Sequence, residues 1–440
     1  MVPPFLFGMR NVLTKTLCVL LFFIQYSIGA NAYDFIFNIL SEEDRTCEVS
    51  FFYDDSGSYT GYVIVPELYQ NYTVVGIGDR AFFECNLDGI SLPPTIKRIG
   101  EEAFWGCKGI SSLRIPEQIE YIGDYAFYCS DLGGSVYIPN CCKYIGECSF
   151  FETNITELEF EGLFAIFNYD FCKIGYGAFG NCDNLLYVNL KSLCYNFSAN
   201  PFLRCDNLKE IEGWGVYTNS EGTTGNLIEN GCLYNFSEKE DTTCLELICC
   251  PAGKNEFIIP APTADGKVQV LTTIGYAAFG GCEKITNIDI PLTVTKIRDY
   301  ALFLSADSED FTYRRVSIPE SVDEMGYDIF GWFGHNWDIY IHGTKIRDIR
   351  YSTLSDKKYG IIHIPYGTKT TFNIEHVERV FEVIDDIEDG NFATEIKDQN
   401  SNEFMEAIYN LCGIKNTSSS TTSIYIVKKK GRIGKKFFKK

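Results

Sequence analysis

The sequence IGDRAFFEC, residues 77–85, decides the fold, because close variants of it return at regular intervals along the chain. Residues 99–107 read IGEEAFWGC, residues 122–129 read IGDYAFYC, which is one position shorter, and further copies begin at Ile174 and Ile274. A fixed period in the twenties predicts a stacked solenoid, in which no repeat can bury its apolar face alone. The glycines of the first four copies lie 22, 23 and 23 residues apart, at Gly78, Gly100, Gly123 and Gly146.

We call this recurring nine-residue motif the phrase. A short alternating run that ends in proline follows it, as in ISLP at 90–93, VYIP at 136–139 and IHIP at 362–365. Alternation with a period of two predicts a strand with one buried face, and proline closes it because it lacks an amide donor. The apolar residues point inward and the middle residue points outward. We expect this outward column to be the binding surface: Ser91, Arg114, Tyr137, Glu159, Asn189, Asp289, Ser317, Tyr340 and His363.

The remaining positions of the phrase fit the same unit. Gly78 and its equivalents permit a tight turn or a positive backbone angle. Ala81 and Phe82 place one small and one large apolar residue on a short helical or 3₁₀ segment. This segment fills the layer between successive turns of the solenoid, which we call rungs. Each rung adds about 4.8 Å, so some ten rungs make a slab on the order of 50 Å long. The predicted fold is therefore a repeat solenoid, mostly β with short helical or 3₁₀ segments.

The N-terminus, residues 1–32, has the features of a secretory signal peptide. Arg10 and Lys15 supply its positive region, residues 17–24 its apolar core, and Ala30-Asn31-Ala32 its cleavage site. The mature chain then begins at Tyr33 and is expected to be secreted or at the cell surface. No later segment reaches about 18 apolar residues, so the sequence predicts no transmembrane span.

The mature chain is predicted to have four parts. Residues 33–74 read as short strands that form a small β cap over the first rung. Residues 75–376 are the repeats, interrupted by a hairpin insertion at about 206–270. Residues 377–403 are acidic and polar and suit a linker. Residues 404–440 form a short C-terminal β segment with a basic tail.

Cysteine is abundant, with 17 of the 18 cysteines after the cleavage site. Five share one repeat position, which predicts a stacked interior row of free thiols, because a buried cysteine behaves as a small hydrophobe. These are Cys85, Cys107, Cys129, Cys182 and Cys282. Export permits disulfides, and the candidates outside the row are Cys141-Cys142, Cys244 and Cys249-Cys250.

The formal net charge is −21, although eight basic residues cluster between Lys428 and Lys440. An acidic body disfavours nucleic acid and anionic membranes as partners, and a solvated surface is the simplest interpretation. The basic tail is interpreted as solvated or as an aid to export, with contact to an anionic envelope as the alternative.

No constellation of residues points to catalysis, a metal or a cofactor. The four histidines are His335, His342, His363 and His376, so residues 1–334 contain no Ser-His or Cys-His pair of their own. His-Glu-x-x-His and Cys-x-x-Cys motifs are absent from the sequence. The acidic run 385–390 superficially resembles a calcium loop, but Ile387 and Ile396 occupy ligand positions. We expect a protein that is not an enzyme.

The phrase, the strands ending in proline and the period resemble the BspA-like leucine-rich repeats found on Bacteroidales cell surfaces. Residues 231–254 are similar to the hairpin insertion of that family, and residues 364–369 to its terminal rung. Residues 408–415 and 424–428 resemble a shortened sorting domain of the type IX (Por) secretion system. The resemblance implies surface or secreted placement and adhesion or protein binding, with no catalytic residues.

Two functions are compatible with this organisation. The first is adhesion or protein binding through the exposed sheet face, with host or microbial surface proteins or glycans as partners. The alternative is a carbohydrate-binding or nutrient-capture component of the cell envelope. Solvent-facing aromatic residues grouped into one platform favour the alternative, because sugar rings stack on such faces, whereas scattered aromatic residues favour the first.

Overall fold

All regular elements in the described part of the chain are β-strands. The computed structural model describes residues 35–52, 61–161, 172–191, 195–197, 199–213, 215–219, 222–239, 242–260, 268–304, 313–330, 336–344, 360–370, 381–387, 408–409, 424–429 and 432–437. In chain order the strands are β1 Phe35–Ser41, β2 Thr46–Phe52, β3 Tyr62–Ile64, β4 Leu68–Tyr69, β5 Tyr72–Ile77, β6 Gly89–Ser91, β7 Arg98–Ile99, β8 Tyr121–Ile122, β9 Gly133–Ile138, β10 Tyr144–Ile145, β11 Asn154–Phe160, β12 Cys172–Ile174, β13 Tyr187–Asn189, β14 Tyr195–Phe197, β15 Ile211–Glu212, β16 Gly215–Asn219, β17 Gly222–Glu229, β18 Cys232–Lys239, β19 Thr242–Cys249, β20 Val268–Ile274, β21 Asn287–Asp289, β22 Lys296–Ile297, β23 Arg314–Ile318, β24 Glu324–Met325, β25 Trp337–Ile341, β26 Gly360–Pro365, β27 Phe381–Ile387, β28 Ile408–Tyr409, β29 Ile424–Lys429 and β30 Arg432–Phe437.

The repeats stack parallel strands along two sides of the chain, which confirms the predicted β solenoid. The strands of the outward column form one side of the solenoid, as a sheet in the order β15-β13-β11-β9 before the insertion and a second sheet in the order β21-β23-β25-β26-β27 after it. Proline ends or follows β9, β21, β23 and β26 on this side. We call this side the proline-ended sheet. The short strands at the start of the phrase form the other side, in the order β5-β7-β8-β10-β12-β14 before the insertion and β20-β22-β24 after it, in a separate sheet. The cap strands β1 and β2, which are antiparallel to each other, extend the first of these sheets. The sequence does not predict this side of the solenoid, because several of its strands have only two residues.

The phrase itself forms turns, so the prediction of short helical or 3₁₀ segments is wrong for the described residues. Every second amide of the phrase bonds to the next rung: Phe82 N donates to Ala103 O at 2.8 Å, and Phe104 N to Ala126 O at 2.6 Å. The amide between them, Phe83 N, donates back to Arg80 O at 3.2 Å. A helix needs successive amides directed along its own axis, and these bonds between rungs prevent that.

The phrase glycines are required by close packing of the rungs. The positive φ angles lie elsewhere, two positions later, at Arg80, Glu102 and Tyr125. A Cβ atom on Gly123 would lie 2.6 Å from the amide nitrogen of Glu101 in the preceding rung, which is shorter than any tolerable contact. Of the two roles predicted for these glycines, a positive backbone angle is therefore wrong.

A column of stacked phenylalanine rings fills the interior from the cap to the insertion. Successive ring centroids are 5.0 to 5.8 Å apart, and all of the rings are buried. Offset stacking at this spacing is favourable for aromatic rings. After the insertion the same position holds Phe279, Leu302 and Phe330, which are also buried. The column contains Phe52, Phe82, Phe104, Phe127, Phe150, Phe179 and Phe202.

The insertion leaves the stacking of the rungs unbroken. Strands β16 to β19 form an antiparallel meander, and β19 then pairs in parallel with β20. The rungs on either side bond directly, since Asn200 N donates to Tyr276 O and Arg204 N to Gly280 O. The solenoid therefore continues across a gap of more than 70 residues in sequence.

The ends of the repeat array differ from the predicted boundaries at one point. Strand β27, Phe381–Ile387, pairs in parallel with β26, so the prediction of a linker over residues 377–403 is wrong there. Phe381 and Val383 are buried, and this alternation adds a further strand.

Residues 1–34 lie outside the described residues, as do His335 and His376. Strands β28, β29 and β30 form a separate antiparallel sheet that includes part of the basic tail. No helical membrane span is found within the described ranges.

All described cysteines carry free thiols, including the disulfide candidates Cys141, Cys142, Cys244, Cys249 and Cys250. In the predicted row, Cys107 Sγ donates to Phe82 O at 2.8 Å, and Cys182 Sγ to Phe150 O at 3.2 Å. The shorter third copy shifts Cys129 out of this row, so its thiol meets the Glu152 carboxylate and Ser130 takes the buried position.

Candidate binding surfaces

The structure aligns three predicted site residues on the first part of the proline-ended sheet. Tyr137 pairs with Glu159, and Glu159 with Asn189, on neighbouring parallel strands. Their inward neighbours are buried, while Tyr137 is 44% exposed. Arg114 lies earlier on the same side and forms an exposed ion pair with Glu117. Ser91 is half-buried and lies in β6, which pairs with β3 instead.

Lateral contacts hold this part of the column while leaving it open to solvent. Lys191 Nζ lies 3.4 Å from Glu159 Oε2 and 5.8 Å from the centre of the Tyr137 ring. Asn189 Nδ2 donates to the Tyr187 hydroxyl at 3.0 Å. Exposed pairs of this kind contribute little to stability, so these side chains are available to a partner.

In the later part of the column, three of the four members contact neighbouring side chains, whereas Asp289 is exposed. Asp289, Ser317, Tyr340 and His363 are successive register partners. Ser317 is only 5% exposed, so its predicted exposure is wrong. His342, one strand along, covers it, with 2.9 Å between Ser317 Oγ and His342 Nε2. Burial, with a further contribution from Arg315, lowers the pKa of His342 below its ordinary value.

His363 lies between two carboxylates. Its Nε2 is 2.8 Å from Asp338 Oδ1, and its Nδ1 is 2.8 Å from Asp386 Oδ1. The His363 ring also stacks on Tyr340, with 4.4 Å between centroids, and the Tyr340 hydroxyl donates to Asp338 Oδ2 at 3.0 Å. Asp386, which the sequence places in a solvated linker, is therefore part of a hydrogen-bonded network on the sheet.

The contact of Ser317 with His342 combines residue types used in nucleophilic catalysis. Burial withholds the serine hydroxyl from a substrate, so the geometry supports a structural hydrogen bond. Within the described ranges, no three His, Cys, Asp or Glu side chains are grouped so that they could bind a metal ion.

A half-buried row of aromatic residues runs along the turn side of the first rungs. Its members are Phe83, Trp105, Tyr128 and Phe151, with centroids 6.1, 4.3 and 5.3 Å apart and interplanar angles of at most 25°. Each ring covers the face of its neighbour, so the row presents mainly ring edges to solvent. The open aromatic platform that would favour a carbohydrate-binding envelope component does not exist on this row.

A cavity of about 520 Å³ opens on the side of the short strands, where the rungs before and after the insertion meet. The residues that line it were not predicted as a site, although the sequence contains one signal of it. Arg298 occupies the position at which most copies of the phrase carry glycine. The lining includes Tyr176, Ala199, Tyr276, Lys296, Arg298 and Glu324.

The chain matches a known protein family. Six copies of the family described as BspA type leucine rich repeat region match this chain, over residues 62–173, 164–237 and 268–375. These matches cover more than half of the chain, and the protein belongs to the BspA-type leucine-rich repeat family. Repeat proteins of this class serve mainly as binding scaffolds.

Several solved structures are similar to this chain. A leucine-rich cell surface protein from Faecalibacterium prausnitzii is 17% identical, with 74% of this chain and 94% of that chain covered and a TM-score of 0.43. The pneumococcal vaccine antigen PcpA is 17% identical, with 81% and 98% covered and a TM-score of 0.44. A leucine-rich repeat protein of T. pallidum is 21% identical, with 42% and 86% covered and a TM-score of 0.34. No curated protein matches the sequence.

Proposed function

We propose that this protein is an exported binding scaffold that mediates adhesion through the first part of the proline-ended sheet. The observation that carries the proposal is the aligned column of Tyr137, Glu159 and Asn189, whose inward neighbours are buried and whose outward side chains differ in chemistry. Such a surface can change its ligand without changing the core.

The energetics of protein recognition support this surface. Protein interfaces bury on the order of 800 Å² on each partner, and a few aromatic or arginine anchors supply most of the affinity. Tyr137 and the largely exposed Arg114 are anchors of these types. In the later part of the column Asp289 is exposed, but Ser317 is buried against His342, and Tyr340 and His363 are half-buried in the network around Asp338.

Export and surface placement belong to the same proposal. The signal-like segment 1–32 supports them, as does the similarity of residues 404–440 to a type IX sorting domain of the Bacteroidales type. The expected partners are host or microbial surface proteins or glycans, and envelope contact through the basic tail is the corresponding proposal for Lys428 to Lys440.

The test is an array of extracellular proteins and glycans probed with the full chain from Tyr33. For each ligand found, the variant with Arg114→Ala, Tyr137→Ala and Glu159→Ala should bind at least about tenfold more weakly, a change of about 1.4 kcal/mol. A control with Glu84→Ala, Glu101→Ala and Lys173→Ala changes exposed residues outside the proline-ended sheet and should bind as the wild type does. An array without any ligand, or equal binding by both variants, contradicts the proposal.

A further inference from the structure

The cavity beside Arg298 lies at an interruption of the repeat pattern. At Gly146 and Gly175, a Cβ atom would come within 2.6 Å of a backbone nitrogen in the preceding rung. Arg298 carries a Cβ at the equivalent position, and Ala199 places a small side chain between Tyr176 and Tyr276. The volume of about 520 Å³ lies within the range of roughly 300–1,000 Å³ that is usual for small-molecule sites.

Two tyrosines form the aromatic part of the lining. The rings of Tyr176 and Tyr276 meet at 84° with centroids 5.2 Å apart, so they present two nearly perpendicular walls. This arrangement differs from the aromatic row on the turn side, where parallel rings cover one another. Among the described residues, neither phenolic hydroxyl has a hydrogen-bond partner.

The hydroxyls of both tyrosines remain protonated at neutral pH. Burial raises the pKa of Tyr276 to about 12 and raises that of Tyr176 further. Each hydroxyl can therefore donate one hydrogen bond and accept others.

Charged groups of both signs complete the lining. Lys296 pairs with Glu324 across β22 and β24, and Arg298 Nε lies 2.6 Å from Glu246 Oε1. Glu147 and Asp299 add two more carboxylates, so the lining holds three carboxylates and two cations. An anionic ligand is disfavoured by this balance and by the acidic body of the protein.

A ligand suited to this cavity has an apolar face for a tyrosine ring and hydroxyl groups that both donate and accept. Neutral sugars combine these properties, since their C–H faces pack on aromatic rings and their hydroxyls bond to carboxylates and ammonium groups. We propose that the cavity binds an uncharged sugar residue of a glycan between Tyr176, Tyr276 and the Lys296–Glu324 pair. This site is separate from the proline-ended sheet, so either can fail without the other.

The test begins with an array of neutral and anionic oligosaccharides probed with the full chain. A neutral saccharide should bind, and calorimetry with that saccharide should show about a tenfold or greater loss of affinity for Tyr276→Ala. The matched control is Tyr300→Ala, because the Tyr300 ring contacts Tyr276 at 5.5 Å but does not line the cavity. It should bind as the wild type does.

A second measurement avoids dependence on the folding of Tyr276→Ala. The bound saccharide should slow acylation of the partly exposed Lys296 amine in the wild-type protein and leave that of the exposed Lys97 unchanged. The proposal is overturned if only anionic saccharides or none bind, if a folded Tyr276→Ala variant binds normally, or if Lys296 is not protected.

Discussion

The rungs before the insertion and those after it use the same repeat in different ways. Before it, one column of phenylalanine rings runs without interruption, and the outward residues Tyr137 and Glu159 remain open to solvent. After it, Leu302 interrupts the inner column, and the outward residues Ser317 and His363 bond to their neighbours.

We interpret this difference as a choice between recognition and local stability at the outward positions. Before the insertion, where the buried rings form an unbroken column, Tyr137 and Glu159 make exposed contacts, which contribute little to stability. After the insertion, Ser317 and His363 form polar bonds on the sheet, and each satisfied bond there removes a group from contact with a partner. The first part of the sheet is therefore the better candidate for adhesion.

The largest expected effect comes from breaking the inner column. Phe127→Ala should lower the free energy of unfolding by about 3–5 kcal/mol, because it opens a cavity in a close-packed stack. Leu302→Ala, at the equivalent later position, should cost less, since the smaller side chain leaves fewer contacts to lose. Hydrogen exchange measured separately for the two parts of the chain distinguishes the losses, because each rung contacts only its neighbours. Equal losses of unfolding free energy for Phe127→Ala and Leu302→Ala would contradict the proposed difference between the two parts of the inner column.

Adding a Cβ atom at a phrase glycine should have the next largest effect. Gly123→Ala places that atom 2.6 Å from two backbone atoms, so we expect a cost of about 1–3 kcal/mol or more. Gly134→Ala is the control, because Gly134 has a positive φ but open space around it, and it should cost only about 1 kcal/mol. Denaturant melts of both variants give the comparison, and a costlier Gly134→Ala would refute the close-approach explanation.

Removing the centre of the later polar network should cost less again. His363→Ala leaves Asp338, whose side chain is only 12% exposed, without one of its partners, and we expect a loss of about 1–3 kcal/mol. Glu159→Gln in the open column is the matched change and should stay within about 0.5 kcal/mol of the wild type. Chemical denaturation measures both, and the contrast fails if the two costs agree.

The smallest effect is a pH dependence confined to the later rungs. The pKa of His342 is lowered below its ordinary value of 6.5 in the folded protein, so the unfolded chain binds the proton more readily. The stability that depends on neutral His342 should be fully present above pH 6.5 and should decrease as the pH falls toward the folded-state pKa. Hydrogen exchange of residues 313–330 on either side of pH 6.5 checks this, and His342→Gln should flatten the dependence. An unchanged slope in that variant would assign the dependence to another group.

The sequence predicted the repeat period and the alternation of the proline-ended strands, because both follow from the spacing of apolar residues such as Val136 and Ile138. It did not predict the burial of Ser317, which depends on His342, 25 residues away. Two-residue strands such as Arg98–Ile99 carry no readable alternation. The cavity was not predicted, because its lining comes from rungs on both sides of an insertion. Arg298 at a glycine position was the one sequence signal of it.

The one-way bonding of the phrase amides has an electrostatic consequence. Phe82, Phe104, Phe127, Phe150 and Phe179 each donate to a carbonyl in the following rung, and the same peptide groups link into continuous chains. Peptide dipoles aligned in this way add, as they do along an α-helix, and polarise one another. The stack of turns is therefore a polar rod with its negative end at the N-terminal cap and its positive end toward the insertion.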